Sequence, residues 1–277
     1  MRSVLVYMQE RFPLPLVALM SASFAVLSLG LFADGPGSPR WWLDAVLLTV
    51  AYFAVLLRYR VTDEWKDFAH DSSVYPERPV QRGAVSVRAL VLLGSGALVV
   101  ELAAVTAVAG PAGLLAYLPV LALSALTAVE FFARPLLARH FTLSFVLHEI
   151  VYLPLFGWAA FALGAPAGLA TAAGIASACA LFVAVEVVRK FEPRFAPNGV
   201  EVADTYSAVW GRGAAIVVIV LSLLASAALA VVAGAGPLVL VLAVLVVAAM
   251  VIARRSDRAV VILGGASLPV LAAAMLS

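Results

Sequence analysis

The stretch WWLDAVLLTVAYFAVLL at residues 41–57, running without a break into RYRVTDEWKDFAHD at residues 58–71, decides how the chain is read. Its first part is apolar apart from Asp44 and approaches the roughly 20 residues that an α-helix needs to cross the hydrocarbon core of a bilayer. Its second part is densely charged. A helix that leaves the membrane at Arg58 and carries its charges into the aqueous phase accounts for both parts.

The same apolar pattern recurs along the chain. Runs near residues 13–33, 41–57, 88–109, 112–131, 141–163, 166–188, 214–232, 237–253 and 259–276 predict about nine transmembrane helices. Turn residues separate them, as at Gly35-Pro36-Gly37, Gly110-Pro111 and Gly234-Ala235-Gly236-Pro237. Composition agrees: 64% of residues are hydrophobic and only 12% charged, against about 25% charged in a soluble domain. So few charges cannot solvate a surface in water. The fold class is therefore all-α, a polytopic bundle forming one transmembrane domain over residues 1–277. A single cysteine, Cys179, excludes a disulfide framework. The net charge of +2 offers no basic surface for nucleic acid, and no nucleic-acid partner is expected.

With nine spans, 17 of the 18 lysines and arginines fall on one side of the membrane, and only Arg40 on the other. The positive-inside rule then places the N-terminus in the cytoplasm of a multi-pass protein of the cell membrane. Two inner loops are long, residues 58–88 and 189–213, and they hold most of the charge. The site is expected there.

If residues 58–71 continue as a helix turning about 100° per residue, Glu64, Asp67 and Asp71 fall within a face about 60° wide, with Asp63 beside it. Like charges at this spacing repel. A cation relieves them, and oxygen ligands suit Mg²⁺, which keeps several waters and shares its shell with substrate phosphates. The bland reading is a solvated acidic face balanced by Arg58, Arg60 and Lys66. The next segment, Tyr75-Pro76-Glu77-Arg78-Pro79-Val80-Gln81-Arg82-Gly83, tips the balance. Its prolines force a turn that can bring Arg78 and Arg82 back over the acidic face. Guanidinium forks suit phosphate oxygens.

The run Asp63-Glu64-Trp65-Lys66-Asp67-Phe68-Ala69-His70-Asp71, with Pro76-Glu77-Arg78-Pro79 and Gly83, resembles the first aspartate-rich motif of the UbiA superfamily of intramembrane prenyltransferases. That motif reads NDxxDxxxD, followed by Pro-x-Arg-Pro and a glycine. Asp63 stands here for its Asn and Glu64 for its first Asp. The resemblance implies nine transmembrane helices with motifs after the second and sixth. It also implies Mg²⁺ held by Asp63, Glu64, Asp67 and Asp71, catalysis through Asp67 and Asp71, and a diphosphate on Arg78 and Arg82.

The second loop departs from the family. Glu186 matches the entry to its second motif, and Thr205 and Gly211 match the exit. Between them the standard aspartate pair is missing: its places fall on Arg194 and Asn198 counted from one end, or on Pro193 and Pro197 counted from the other. Glu201 and Asp204 are candidate replacement metal ligands, beside Glu192 and Asn198. Lys190 is a candidate catalytic and phosphate-binding point charge, and Tyr206 a further diphosphate contact.

Ionisable groups within spans are functional hypotheses by default. They are Glu101, Glu130, His148 and Glu149. The resemblance implies an enzyme that ionises an isoprenyl diphosphate and passes the prenyl group to an acceptor the sequence does not specify. Two alternatives stay open: a terpene cyclase of the same superfamily, and a non-enzymatic transporter.

Overall fold

The structure, a computed structural model, describes residues 2–33 and 35–276, with only the backbone of Arg2. Helices dominate. In chain order they are α1 (Arg2–Arg11), α2 (Leu14–Phe32), α3 (Pro39–Lys66), α4 (Phe68–Val74), α5 (Val87–Ala116), α6 (Leu118–Ala128), α7 (Arg134–Arg139), α8 (Phe141–Glu149), α9 (Tyr152–Ala162), α10 (Leu169–Arg189), α11 (Tyr206–Trp210), α12 (Arg212–Val232), α13 (Leu238–Ile252) and α14 (Asp257–Ala274). A 3₁₀ turn, Glu130–Phe132, links α6 to α7. Two short strands, β1 (Arg194–Phe195) and β2 (Glu201–Val202), pair antiparallel, with Arg194 opposite Val202.

The protein is all-α and multi-pass. Among the described residues, seven helical segments are long and apolar enough to cross a membrane: α2, α3, α5, the α8–α9 pair, α10, α12 and α14. The other two expected spans are built differently. Gly110 adopts φ 64°, a left-handed conformation that glycine takes without steric cost. With Pro111 behind it, α5 breaks there, and its last turns run on through Tyr117 into α6. The expected span at 112–131 is thus a composite that ends at Ala128. The other, α13, has 15 residues, about 22 Å of helix, shorter than a hydrocarbon core of about 30 Å. The expected span at 141–163 is interrupted at Ile150 and Val151, between α8 and α9. Pro154 lacks an N–H for the carbonyl of Ile150, which accounts for the break.

The chain forms two compact units: Met1–Ala25 with Leu43–His140, and Val26–Trp42 with Phe141–Ser277. In the first, a buried cluster of Tyr7, Met8, Phe12, Leu57, Val61, Val80, Val85 and Leu90 ties α1, the C-terminal part of α3, the 75–86 turn and the start of α5 together. In the second, α10 lies against α12 through small residues, and Ser177 Oγ donates to the Ser226 carbonyl at 2.8 Å. Close approach of this kind stabilises helix pairs in lipid, where burial from water is no longer a driving force. Gly264 of α14 is one such contact, since a Cβ there would lie 2.4 Å from Val188.

Candidate functional site

In the first unit the charged stretch is a helix, as its spacing requires. α3 runs to Lys66, the backbone relaxes at Asp67 (φ −94°, ψ 6°), and α4 resumes at Phe68. The i→i+4 hydrogen bonds continue across the joint, Asp67 N to Asp63 O at 2.8 Å and Asp71 N to Asp67 O at 2.9 Å. Asp63, Glu64, Asp67 and Asp71 therefore keep helical register.

Their surroundings differ. Glu64 is only 1% exposed. Arg11 Nε donates to its Oε1 at 2.9 Å, and Arg60 pairs with the same oxygen. Both guanidiniums engage one oxygen of Glu64, and its buried Oε2 meets no hydrogen-bond partner among the described residues. Asp71 is 5% exposed and paired with Arg78. The Arg78 guanidinium lies 3.6 Å above the centre of the Tyr75 ring, which fixes it over the acidic side of the turn. The proline turn therefore brings Arg78 back. Arg82 goes elsewhere: it holds Glu10 of α1 at 2.6 and 2.9 Å and the Glu77 carbonyl at 2.5 Å.

Lys66 Nζ lies between two carboxylates, 3.3 Å from Asp63 Oδ1 and 3.2 Å from Glu130 Oε1. Glu130 is set there by an unusual backbone. Glu130, Phe131 and Phe132 have φ of 51°, 52° and 57°, three consecutive non-glycine residues in the left-handed region. Such residues cost about 1–3 kcal/mol each and persist where the surrounding structure holds them. Burial raises Asp67 above the usual carboxylate range. Lys66 opposes the rise, while Asp63, Asp71 and Glu130 add to it.

Deeper in the same unit, Arg58 makes a two-pronged pair with the fully buried Glu101, at 2.6 and 2.8 Å. Tyr117 OH donates to Glu101 at 2.8 Å, and Tyr59 shares a hydrogen bond with Ser124 at 2.7 Å. This network ties α3 to α5 and α6 through buried charges that answer one another.

Among the described residues, no three His, Cys, Asp or Glu side chains converge tightly enough to cage a metal. The donor chemistry suits a less demanding ion. Asp67 sits in a field made negative by Asp63, Asp71 and Glu130. One or two carboxylates of this kind fit Mg²⁺, which retains most of its water and takes the rest of its shell from phosphate oxygens.

In the second unit, Glu186 is the hub. Arg189 donates to it twice at 2.8 Å, Tyr206 OH at 3.0 Å, and Lys190 Nζ lies 3.3 Å away. Burial and the Glu186 charge together raise the Tyr206 phenol well above its ordinary value. Phe141, Phe145 and Trp210 surround Tyr206, with ring centres 4.8–5.5 Å from it. Glu201 lies exposed on β2, and Asp204 is 3.4 Å from Arg194. Lys190 and Tyr206 thus meet at Glu186, while Glu201 lies on β2 and Asp204 in the turn after it, beside Arg194 of β1. His148 Nδ1 lies 2.7 Å from the carbonyl of Ser144 in its own helix. Glu149 has a buried Oε2 that meets no hydrogen-bond partner among the described residues.

Three participants escaped the sequence reading: Arg11 at Glu64, Glu10 at Arg82, and Glu130 as the partner of Lys66. The first two arrive from α1, more than 50 residues away, and no local spacing signals them. Glu130 carried a signal as a charge at the end of a span, but a left-handed turn of Glu-Phe-Phe has no sequence signature.

The chain superposes on a solved structure described as the apo form of a UbiA homolog from Aeropyrum pernix K1, with a TM-score of 0.64 over 93% of this chain and 96% of that one, at 18% identity. The chain has the UbiA fold. A second solved structure, of a digeranylgeranylglyceryl phosphate synthase in membranes, matches with a TM-score of 0.52 over 100% of this chain and 96% of that one, at 14% identity. No known family's sequence profile and no curated protein sequence matches. The UbiA fold agrees with the resemblance carried by residues 63–83, and it does so over nearly the whole chain.

Proposed function

We propose that the chain is a membrane-embedded, Mg²⁺-dependent transferase that ionises an isoprenyl diphosphate and passes the prenyl group to an acceptor. The observation that carries this reading is the return of Arg78 onto Asp71, one helical turn from Asp67, at the polar end of α3 in a chain with the UbiA fold. Prenyl transfer is what the name of the digeranylgeranylglyceryl phosphate synthase implies for that protein.

In this reading Asp67, flanked by Asp63 and Asp71, holds the metal, and Arg78 exchanges its carboxylate partner for diphosphate oxygens. Arg82 leaves Glu10 to join it. Mg²⁺ supplies neutralisation of the charge that builds on the leaving diphosphate. The C1–O bond breaks heterolytically and its electron pair leaves with the diphosphate. The allylic cation is captured by a nucleophilic atom of the acceptor, which then loses a proton. Preorganised positive groups at the leaving oxygens lower the barrier because they need no reorganisation as charge develops. Glu64, with its Oε1 held by Arg11 and Arg60, anchors the helix end. We place the protein in the cell membrane with the charged segments in the cytoplasm, on the lysine and arginine asymmetry.

One feature favours the cyclase as a second reading. Tyr206 and Trp210 of the second charged segment, which lacks the aspartate pair, join Phe141 and Phe145 of α8 in an aromatic cluster. Aromatic faces stabilise cations, and a cation captured by a double bond of its own chain needs no acceptor. The test is a product assay. Purified protein in detergent receives Mg²⁺ and geranyl, farnesyl or geranylgeranyl diphosphate, with and without candidate acceptors, beside Asp67→Ala. Transfer only with an acceptor supports the transferase, and cyclic hydrocarbon without one supports the cyclase. Turnover that survives Asp67→Ala counts against both.

A further inference from the structure

We propose that the turn joining α13 to α14 is a binding site for the headgroup of an anionic phospholipid. The site lies wholly in the second unit and stands whether or not the chain transfers a prenyl group.

The turn is short and ordered. α13 closes at Ile252 and α14 opens at Asp257, and Ala253-Arg254-Arg255-Ser256 connects them. Ser256 N–H donates to the Ala253 carbonyl at 2.9 Å. Ser256 Oγ caps α14 by accepting from the Ala259 N–H at 3.3 Å. The backbone that carries the arginines is thus held in place.

The charge of the turn is unanswered. Arg254, Arg255 and Arg258 are exposed, and their side chains make no ion pair or hydrogen bond among the described residues. The carboxylate of the turn, Asp257, is taken by Arg212 of α12. Arg212 itself keeps an Nη2 that meets no acceptor among the described residues. Four arginines against one aspartate leave three positive charges. Elsewhere the chain answers its cations: Arg11, Arg58, Arg78, Arg82, Arg189 and Arg194 each meet a carboxylate. Orientation in the membrane requires basic residues near a helix end. It does not require three of them within residues 254–258 with nothing to oppose them.

Depth and surroundings select a lipid. The 15 residues of α13 span about 22 Å, against a hydrocarbon core of about 30 Å. A helix this short draws its flanking residues into the headgroup layer. Val241, Leu245, Ala248 and Ile252 are exposed and share one stripe of α13 that runs to the turn. Ile252, the last of them, is 84% exposed. Guanidinium forks fit phosphate oxygens, and the apolar stripe before them fits acyl chains. A phospholipid carries both parts in one molecule. Three uncompensated charges favour a headgroup with net negative charge, at about fivefold in affinity for each basic residue near an anionic surface.

The probes are phosphatidylglycerol and phosphatidylcholine with the same acyl chains. Each is titrated onto the full chain in non-ionic detergent, and bound lipid is counted by native mass spectrometry. Wild type is expected to bind the first phosphatidylglycerol about tenfold or more tighter than the first phosphatidylcholine. Arg254→Gln, Arg255→Gln and Arg258→Gln together are expected to abolish that preference. Arg88→Gln with Arg139→Gln, two exposed arginines of the first unit, is expected to leave it intact. Equal binding of the two lipids by wild type, a preference that survives the triple variant, or an equal loss in the first-unit variant overturns the site. Inorganic phosphate that displaces phosphatidylglycerol more strongly than sodium chloride of equal ionic strength overturns the lipid assignment in favour of a soluble phosphate. Should the triple variant fail to fold, Arg254→Gln with Arg255→Gln, outside both helices, carries the same comparison.

Discussion

The two charged segments of this chain begin alike and end differently. Each follows a transmembrane helix, and each carries carboxylates, arginines and a lysine. After α3 the helix continues, and the 100° step per residue keeps Asp63, Asp67 and Asp71 in a usable register through α4. After α10 the helix stops at Arg189, and the chain turns into a two-stranded ribbon that points Glu201 outward. The carboxylate that stays inside there, Glu186, is held by cations and a tyrosine of its own segment. A regular backbone keeps the acidic residues after α3 in register, and its loss after α10 disperses them.

The largest expected effect tests that contrast directly. Asp67→Ala is expected to lower Mg²⁺-dependent turnover by about 100-fold or more, the scale of losing a group that stabilises transition-state charge. The check is the initial rate of diphosphate release. Comparable loss in Glu201→Ala would break the contrast, because it would put the second segment in the chemistry. The expected change there is less than about twofold, the size of an exposed substitution away from the site.

Next in size is the buried anchor. Removing one partner of the Arg58–Glu101 pair, as in Arg58→Ala, strands a charge inside the first unit. The expected cost is about 3–5 kcal/mol, read as a lower unfolding temperature in detergent. Arg58→Met with Glu101→Met is expected to recover much of it. A single variant as stable as wild type would remove the anchor from the account. Arg78→Ala follows, with an expected 10–100-fold weaker diphosphate affinity, corresponding to about 1.5–3 kcal/mol for hydrogen bonds to charged groups. Calorimetry with a non-ionisable prenyl diphosphate analogue measures it.

The smallest effect concerns Asp67 alone and has an unusual sign. Its carboxyl is raised in the folded protein, so the folded state binds that proton more tightly than the unfolded chain does. Without metal, the ionised form therefore costs stability, and the cost is recovered as pH falls through the raised value. Metal-free Asp67→Asn is expected to be more stable than wild type at neutral pH. Divalent-ion binding, which needs the ionised form, is expected to weaken on acidification above the pH of about 3.9 at which a free aspartate titrates. Metal-free unfolding and Mn²⁺ titrations across pH read both.

What was legible in the sequence follows the same division. The helical stretches and the break at Gly110-Pro111 could be read, because hydrophobic length and a glycine–proline pair act locally. The interruption at Ile150 and Val151 could have been read from Pro154 and was not, because the apolar run continues through it. The register of Asp63, Asp67 and Asp71 and the return of Arg78 were legible, since one follows from helical period and the other from prolines that fix a turn. The pairing of Glu64 with Arg11 and of Arg82 with Glu10 was not, because both depend on where α1 packs. The fate of Glu201 was not legible either. Once the backbone leaves helical geometry at Lys190, residue spacing no longer says which side chains share a face.

The most direct test of the account is Mg²⁺-dependent binding of a prenyl diphosphate to the purified chain, compared among wild type, Asp67→Ala and Glu201→Ala. The account predicts binding in wild type and Glu201→Ala and its loss in Asp67→Ala. Unchanged binding in Asp67→Ala, or loss in Glu201→Ala alone, would contradict the placement of the site on the helix that continues from α3.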